Sequence, residues 1–161
     1  MKTCKKLTIT LFLLILIGSS GFAQNNNSIG LRFGGTSGIT YKHNSSFEAI
    51  LGFWGNGISI TALKEKSKQA FDAVGLNWYY GFGGHVAFFN DNDPSNDFGR
   101  GNRTYLSNEM AFGVDAIFGL EYHLPEIPFA ISLGFKPFLE IDTDGRFYGA
   151  PDPGFGIKFK F

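Results

Sequence analysis

Apolar and polar residues alternate along most of this 161-residue chain, and the alternation restarts after each short polar or glycine-rich stretch. Successive side chains of a strand point to opposite faces, so a period of two predicts strands with one apolar face and one small or charged face. In the last nine residues, Phe155, Ile157, Phe159 and Phe161 share one face, and Lys158 lies on the other. The pattern predicts eight strands, at residues 29–34, 38–42, 47–53, 58–62, 76–88, 112–123, 129–140 and 153–161.

The segments between these strands are rich in Gly, Asn, Asp, Ser and Pro, which predicts turns and loops. Residues 64–72 are polar and charged, and this stretch is long enough for one or two helical turns. Residues 90–108 are predicted to form the longest loop and residues 142–152 a shorter one. Compact turns are predicted at residues 34–37, 43–46, 54–57 and 124–128.

Residues 1–23 have the features of a secretory signal peptide. Three lysines precede an apolar run at residues 7–17, and Gly21 and Ala23 have the spacing that a signal peptidase recognises. The apolar run is shorter than a membrane-spanning helix requires. Cys4 would leave with the signal, so the mature chain is expected to have no thiol or disulfide chemistry.

The mature chain, residues 24–161, is expected to form one domain without an internal repeat. It carries eleven basic and fourteen acidic residues, a net charge of −3 that argues against a nucleic-acid partner. Glycine weakens helices and phenylalanine is favoured in strands, so the 22 Gly and 19 Phe of the chain indicate an all-β fold.

Two kinds of eight-stranded barrel are compatible with the alternation. A soluble, lipocalin-like barrel carrying an apolar ligand has its apolar face inside, whereas a membrane barrel has that face outside. A filled eight-stranded core holds about a dozen side chains, fewer than the apolar face provides here. The opposite face is small or charged and suits a narrow lumen. We therefore expect an antiparallel up-and-down transmembrane barrel, with the secreted carrier as the alternative.

The aromatic residues support this expectation. When both ends of the domain lie in the periplasm, odd-numbered strands run outward and even-numbered strands run back, which puts residues 90–108 outside. Tyr and Trp favour the boundary between lipid and water because their rings are apolar and their tips are polar. Six aromatic residues then fall near the periplasmic ends of their strands, on the apolar face: Tyr41, Phe47, Trp78, Tyr122, Phe129 and Phe161.

Three short motifs carry a resemblance to a known family. They are Gly-Ile-Thr-Tyr-Lys at residues 38–42, Gly-Leu-Glu-Tyr at residues 119–122, and the Ile127–Pro128 turn. The chain resembles the small eight-stranded outer-membrane barrels of Gram-negative bacteria, of the outer-membrane-protein X and A type. The resemblance covers the mature chain and implies a closed barrel in the outer membrane, with no catalytic motif.

The inward face is predicted to carry an ion-pair and hydrogen-bond network that fills the lumen, because isolated buried charges are costly. Lys42 is expected opposite Glu48, His85 opposite Asp115, and Tyr79 near Glu121. A polar pore or binding site is the alternative. The predicted luminal residues are Arg32, Lys42, Glu48, Tyr79, His85, Asp115, Glu121, Lys136, Glu140, Lys158 and Lys160.

Catalysis is a further hypothesis, since some outer-membrane barrels modify lipid A. His85 and Asp115 suit a base and its orienting carboxylate. The register predicted from sequence puts no Ser or Thr beside His85 on its own or a neighbouring strand. We therefore expect no enzyme, and keep a lipid A-modifying barrel as the second alternative.

A metal site is not expected either. Asp91, Asp93 and Asp97 are similar to a calcium-binding loop, but Asn96 and Asn102 stand where the EF-hand requires Gly and Glu. We predict a solvated loop, no metal and no cofactor. The expected partners are outer-membrane lipid and an extracellular molecule that contacts residues 90–108 and 142–152, and the barrel is expected to be a monomer.

Overall fold

The structure, a computed structural model, describes residues 26–54, 57–89 and 109–161. The predicted signal peptide at 1–23 and the predicted loop at 90–108 lie outside these residues. The described residues contain ten strand segments: β1 (Ser28–Gly34), β2 (Ser37–His43), β3 (Phe47–Trp54), β4 (Gly57–Gln69), β5 (Leu76–Phe89), β6 (Met110–His123), β7 (Phe129–Phe135), β8 (Phe138–Asp142), β9 (Phe147–Ala150) and β10 (Pro153–Lys160).

These segments form one closed antiparallel barrel. β7 and β8 both pair with β6, one after the other, and β10 and β9 pair with β7 and β8 in turn, so ten segments make eight barrel strands. Pairing of β5 with β6 and of β1 with β10 completes the circle. The prediction of an all-β, eight-stranded antiparallel barrel is confirmed. None of the described residues forms a helix long and apolar enough to cross a membrane.

Two opposed prolines divide the seventh and eighth barrel strands into segments. The register is the same on both sides of the break, which puts Pro137 opposite Pro151. Proline has no amide hydrogen and interrupts a ladder. Lys136 N still donates to Asp152 O at 2.8 Å, and Ala116 N to Pro137 O at 3.0 Å, so the alternation continues in phase.

The prediction of helical turns in residues 64–72 is wrong. β4 continues as a strand to Gln69, and each of its residues is in register with a residue of β5. A lone turn of helix is costly to nucleate, whereas a neighbouring strand offers a backbone partner to every residue. The connection between β4 and β5 is limited to residues 70–75, with positive φ at Phe71 and Asp72.

The loop predicted at residues 142–152 is also wrong for much of its length. Phe147–Ala150 form β9 and pair with β8, so the connection is limited to residues 143–146. Gly149, Pro151 and Pro153 occupy outward positions here. Glycine has no side chain and proline is rare within strands, so these positions lack the apolar alternation by which the other strands are recognised.

The barrel has an apolar exterior and a polar interior. Every exposed large apolar side chain of the described strands lies at an outward position, from Ile29 in β1 to Ile157 in β10. Few large apolar or aromatic side chains are buried, and they fill space among the polar ones. These are Ile50, Leu63, Tyr79, Phe89, Ile117 and Phe138.

One side of the barrel wall is short. β1 ends at Gly34, which pairs with Gly154 in β10, and β2 begins three residues later at Ser37. The eighth barrel strand extends past this level through β9. Among the described residues, β9 pairs with β8 alone.

Candidate functional site: the charged lumen

The period of two in each strand brings the ionisable side chains together inside the barrel. Lys160, near the end of β10, is half-buried, and the other ten predicted luminal residues are buried. The ten are Arg32, Lys42, Glu48, Tyr79, His85, Asp115, Glu121, Lys136, Glu140 and Lys158.

Inward glycines on facing strands make room for the larger luminal side chains. A Cβ at Gly113 would lie 2.1 Å from Cε1 of His85, and a Cβ at Gly134 would lie 2.1 Å from Oη of Tyr79. Neither distance is possible between real atoms, so these glycines are needed for the two rings to occupy their positions.

A first group of charges surrounds His85. Nδ1 of His85 lies 2.7 Å from Oδ2 of Asp115, and Nε2 lies 3.0 Å from Oε2 of Glu140. Lys136 Nζ donates to the other Asp115 oxygen at 2.9 Å. We name as the His85 cluster the residues Arg32, His85, Asp115, Lys136, Glu140 and Asp152.

Asp152 connects the His85 cluster to β1. Its carboxylate lies 3.0 Å from Lys136 Nζ and 3.2 Å from the Arg32 guanidinium. Thr36 N donates to Asp152 Oδ1 at 2.8 Å. Asp152 therefore ties together the seventh barrel strand, β1 and the β1–β2 turn.

A second group of charges, the Lys158 cluster, consists of Lys42, Glu48, Glu65, Glu121 and Lys158. Lys158 Nζ donates to Glu48 at 3.0 Å and to Glu121 at 3.2 Å. Lys42 Nζ lies 2.8 Å from Glu65 and 3.7 Å from Glu121. Each amine thus bridges two carboxylates from different strands, which limits the cost of burying the charges.

Apolar side chains lie between the two clusters. Ile117 is an inward residue of β6 between Asp115 and Glu121, and it packs in one buried group with Ile50, Leu63 and Tyr79. The Tyr79 ring centroid is 5.0 Å from Lys42 Nζ and 5.9 Å from Lys158 Nζ. Apolar side chains thus fill the part of the lumen between the two charged clusters.

The two inward histidines have different partners. His85 has a carboxylate at each ring nitrogen, and an imidazole donates from both nitrogens only as the cation. His123 has the Glu121 carboxylate at Nε2, 2.8 Å away, and the Lys160 amine at Nδ1, 2.9 Å away. The neutral ring, donating to Glu121 and accepting from Lys160, satisfies that arrangement.

The strand register shows which of the pairs predicted from sequence lie directly opposite each other. Lys42 lies directly opposite Glu48, although its ion pairs are to other carboxylates. His85 lies opposite Gly113, and it reaches Asp115 diagonally. Tyr79 lies opposite Gly119, two residues from Glu121.

Two network members were missed because they lie in segments interpreted as loops. Glu65 is two residues beyond the inward Leu63 of β4, and Asp152 is two residues before the inward Gly154 of β10. Extending the period of two into both segments would have found them. The isolated acidic residues gave no other signal.

The structure corrects the expectation that no hydroxyl lies near His85. Thr61, an inward and buried residue of β4, is directly opposite His85. The spacing of the strands alone does not give this register. Because both ring nitrogens of His85 contact carboxylates, neither is free to accept a proton from the Thr61 hydroxyl.

Metal ligation has no support among residues 26–54, 57–89 and 109–161, where no three His, Cys, Asp or Glu side chains could hold an ion together. The predicted calcium-loop positions Asp91, Asp93 and Asp97 lie outside the described residues. A tight turn follows β8, with Asp142 Oδ1 accepting from Arg146 N at 2.8 Å.

The six predicted interface aromatics lie at one end of the barrel, the end that also holds residues 26–28. Four of them are exposed outward and the last two are half-buried. Trp78 packs on Phe71, with ring centroids 5.3 Å apart, and Phe159 lies between Phe129 and Phe161. In chain order they are Tyr41, Phe47, Trp78, Tyr122, Phe129 and Phe161.

An exposed arginine organises the opposite end. The Arg146 guanidinium contacts Glu109 at 2.5 Å, Asp142 at 2.8 Å and Asp144 at 3.3 Å. Phe89 N also donates to Glu109 O at 3.0 Å, which joins the ends of β5 and β6. These contacts hold the rim beside residues 90–108.

Comparison with known proteins adds no family. No protein-family model matches the chain, and neither the curated proteins nor the solved structures contain a match to it.

Proposed function

We propose that the chain is a small integral β-barrel protein of the bacterial outer membrane, with a lumen closed by its own side chains and a structural or surface-interaction role. The observation that carries this proposal is the inverted polarity of the barrel. Charged side chains such as Lys42 and Glu48 are buried, while side chains such as Phe82 and Leu133 are exposed.

The energetic argument favours hydrocarbon as the surrounding medium. Transfer of one large apolar side chain out of water is favourable by about 1.5–3 kcal/mol of free energy. Soluble monomers rarely expose a contiguous apolar patch beyond a few hundred Å². Here the apolar outward positions continue around the whole barrel, from β1 to β10. In lipid this surface has no such cost, and closure of the barrel satisfies the strand backbones.

The contents of the lumen disfavour the alternatives. A soluble carrier of an apolar ligand needs an apolar cavity, but the interior holds the His85 and Lys158 clusters. A solute channel needs open space, which eight strands barely provide. A lipid A-modifying enzyme needs a free base, but both ring nitrogens of His85 contact carboxylates. We therefore expect neither transport nor catalysis.

The orientation follows from the two ends of the barrel. In this proposal, the aromatic end with Trp78 and Tyr122 faces the periplasm, and the rim with Arg146 faces outward. Residues 90–108, which join β5 to β6, then lie on the cell surface. In this proposal, residues 143–146 are the second surface for an extracellular partner, in place of the longer loop that the sequence predicted at residues 142–152.

Membrane fractionation followed by trypsin treatment of intact cells tests the proposal. The protein should require detergent for extraction and should migrate differently on gels before and after heating. Trypsin should cut at Arg100 or Arg103, identified from fragment masses, and the Arg100→Gln/Arg103→Gln variant should lose these fragments. Recovery in the soluble periplasm without detergent would instead favour the carrier barrel.

A further inference from the structure

The outward face of β4 changes character halfway along the strand. Ile58, Ile60 and Ala62 are followed at the same face by three lysines, Lys64, Lys66 and Lys68, all of them exposed. The strand runs towards the aromatic end of the barrel. We name these three residues the lysine stripe; their Cα atoms are about 7 Å apart from one lysine to the next.

The lysine stripe is the exception on the outward wall. At the outward positions of the other described strands there is no Asp, Glu, Lys or Arg. Within the described part of the chain, no carboxylate lies within 4.0 Å of any of the three amines. Three like charges therefore lie side by side on an apolar surface without a counter-charge from the residues that the structure describes.

Aromatic rings flank the lysine stripe on β5. Lys64 is in register with Phe82, Lys66 with Tyr80 and Lys68 with Trp78. All three rings are exposed, Phe82 to 69%. The stripe thus combines cations with apolar ring faces at the level where a strand passes from hydrocarbon to headgroups. Long lysine stems lie along apolar surface while their amines reach the polar boundary.

We propose that the lysine stripe binds the headgroup phosphates of anionic phospholipids in the leaflet at the aromatic end of the barrel; this rests on the proposed function. Charge complementarity selects the occupant. A zwitterionic lipid brings its own cation to the phosphate, whereas an anionic lipid leaves the phosphate charge to the three amines. The neighbouring rings offer a surface for the upper acyl chains.

Trp78 is a built-in reporter of this site because it is the register partner of Lys68. The chain has two tryptophans, so the Trp54→Phe variant leaves Trp78 as the only one. This variant is reconstituted in phosphatidylcholine vesicles that contain a minor fraction of either brominated phosphatidylglycerol or brominated phosphatidylcholine. Bromine near the headgroup quenches a nearby indole, so quenching measures which lipid lies beside the stripe.

We expect phosphatidylglycerol to be enriched about five-fold over phosphatidylcholine beside Trp78. This corresponds to about 1 kcal/mol, roughly the contribution of one basic side chain near an anionic surface. Added salt should reduce the preference. Lys64→Gln/Lys66→Gln/Lys68→Gln should abolish it, and the matching triple Arg variant should retain it. Ser67→Ala, an uncharged change on the same exposed end of β4, is the control.

The outcomes separate the two proposals. Equal quenching by both lipids overturns the lipid site but leaves the membrane location intact, since Trp78 then contacts lipid without selectivity. Absence of quenching by either lipid, in protein that is folded by its gel mobility, overturns the membrane location. A preference that survives in the Gln variant overturns the role of the lysines.

Cross-linking of two copies through the stripe, without lipid preference, favours a second copy as the occupant and also overturns the proposal. If the triple Gln variant does not fold, Lys68→Gln alone gives the same comparison.

Discussion

Glu140 on β8 lies 3.0 Å from Nε2 of His85 on β5, across the intervening strand β6. The other ring nitrogen contacts Asp115, which belongs to β6 itself, so one ring connects three barrel strands. With His85 as a cation, the His85 cluster has three positive and three negative groups. Removal of His85 would leave this cluster with two positive and three negative groups.

His85→Ala should therefore destabilise the barrel strongly. The variant removes a shared partner of Asp115 and Glu140, and breaking a buried charge pair costs about 3–5 kcal/mol. The measurement is the free energy of unfolding in lipid vesicles, from denaturant titration followed by gel mobility. His43→Ala is the matched control, because His43 is exposed on the outward face of β2. This variant should change the free energy of unfolding by no more than about 0.5 kcal/mol.

The double variant His85→Ala/Glu140→Gln gives a stricter test. In His85→Ala the Glu140 carboxylate has lost its imidazole donor. Glu140→Gln removes that uncompensated charge, so part of the lost stability should return. Additive losses in the double variant would show that the contact between His85 and Glu140 does not contribute.

Burial, rather than the number of contacts, should decide the effect of removing a cation. Lys136 contacts two carboxylates and its side chain is 3% exposed, whereas Arg146 contacts three and its side chain is 44% exposed. Lys136→Gln should cost about 3–5 kcal/mol. Arg146→Gln should cost much less, because solvent screens the 44% exposed Arg146 side chain and Asp142 keeps its backbone donors. Parallel denaturant titrations compare the two; a larger loss for Arg146→Gln would contradict the argument.

Gly134→Ala should destabilise the barrel through a single steric contact with Oη of Tyr79. Overpacking of this kind costs about 1–3 kcal/mol. Tyr79→Phe removes the clashing oxygen, and the next atom, Cζ, would be 3.3 Å from the new Cβ. The double variant should thus be more stable than Gly134→Ala alone in the same titration. If Tyr79→Phe brings no recovery, the clash is not the cause.

Lys158→Met should lower the temperature at which the folded band disappears from unheated gels. The change leaves Glu48 and Glu121 without the amine that bridges them at 3.0 and 3.2 Å, at a cost of about 3–5 kcal/mol. Adding Glu48→Gln should restore part of the loss, because one uncompensated charge disappears. An unchanged midpoint in Lys158→Met would show that water, rather than Lys158, compensates these carboxylates.

The strands were predictable where large apolar residues alternate with small or polar ones, as at Phe155 and Ile157. The prediction failed where the outward residues are themselves unusual. The outward lysines at 64–68 made the end of β4 resemble a polar connection, and the outward Gly149 and Pro151 hid β9. In both places the conformation is determined by pairing with a neighbouring strand, and the periodicity of a single segment does not reveal that partner.

The inventory of the lumen was more accessible from sequence than its pairing. Alternation alone indicates that residues such as Arg32 and Glu140 point inward. Which charges meet depends on the stagger between strands, and a diagonal shift of two residues separates the partner of His85, Asp115, from the residue opposite it, Gly113. The same stagger brings Thr61 beside His85. Registers of this kind are set by all eight strands together.

The short side of the barrel wall has a consequence for association. Along β10, the amides of alternate residues face β1, and Phe161 N, one residue past the end of the strand, continues this alternation by donating to Asn27 O at 3.0 Å. Pro151 and Pro153 fall on this same alternation, at the level where β1 gives way, and neither has a hydrogen to donate. A strand from another molecule that approached this edge would find missing donors, so the prolines oppose edge-to-edge growth of the sheet.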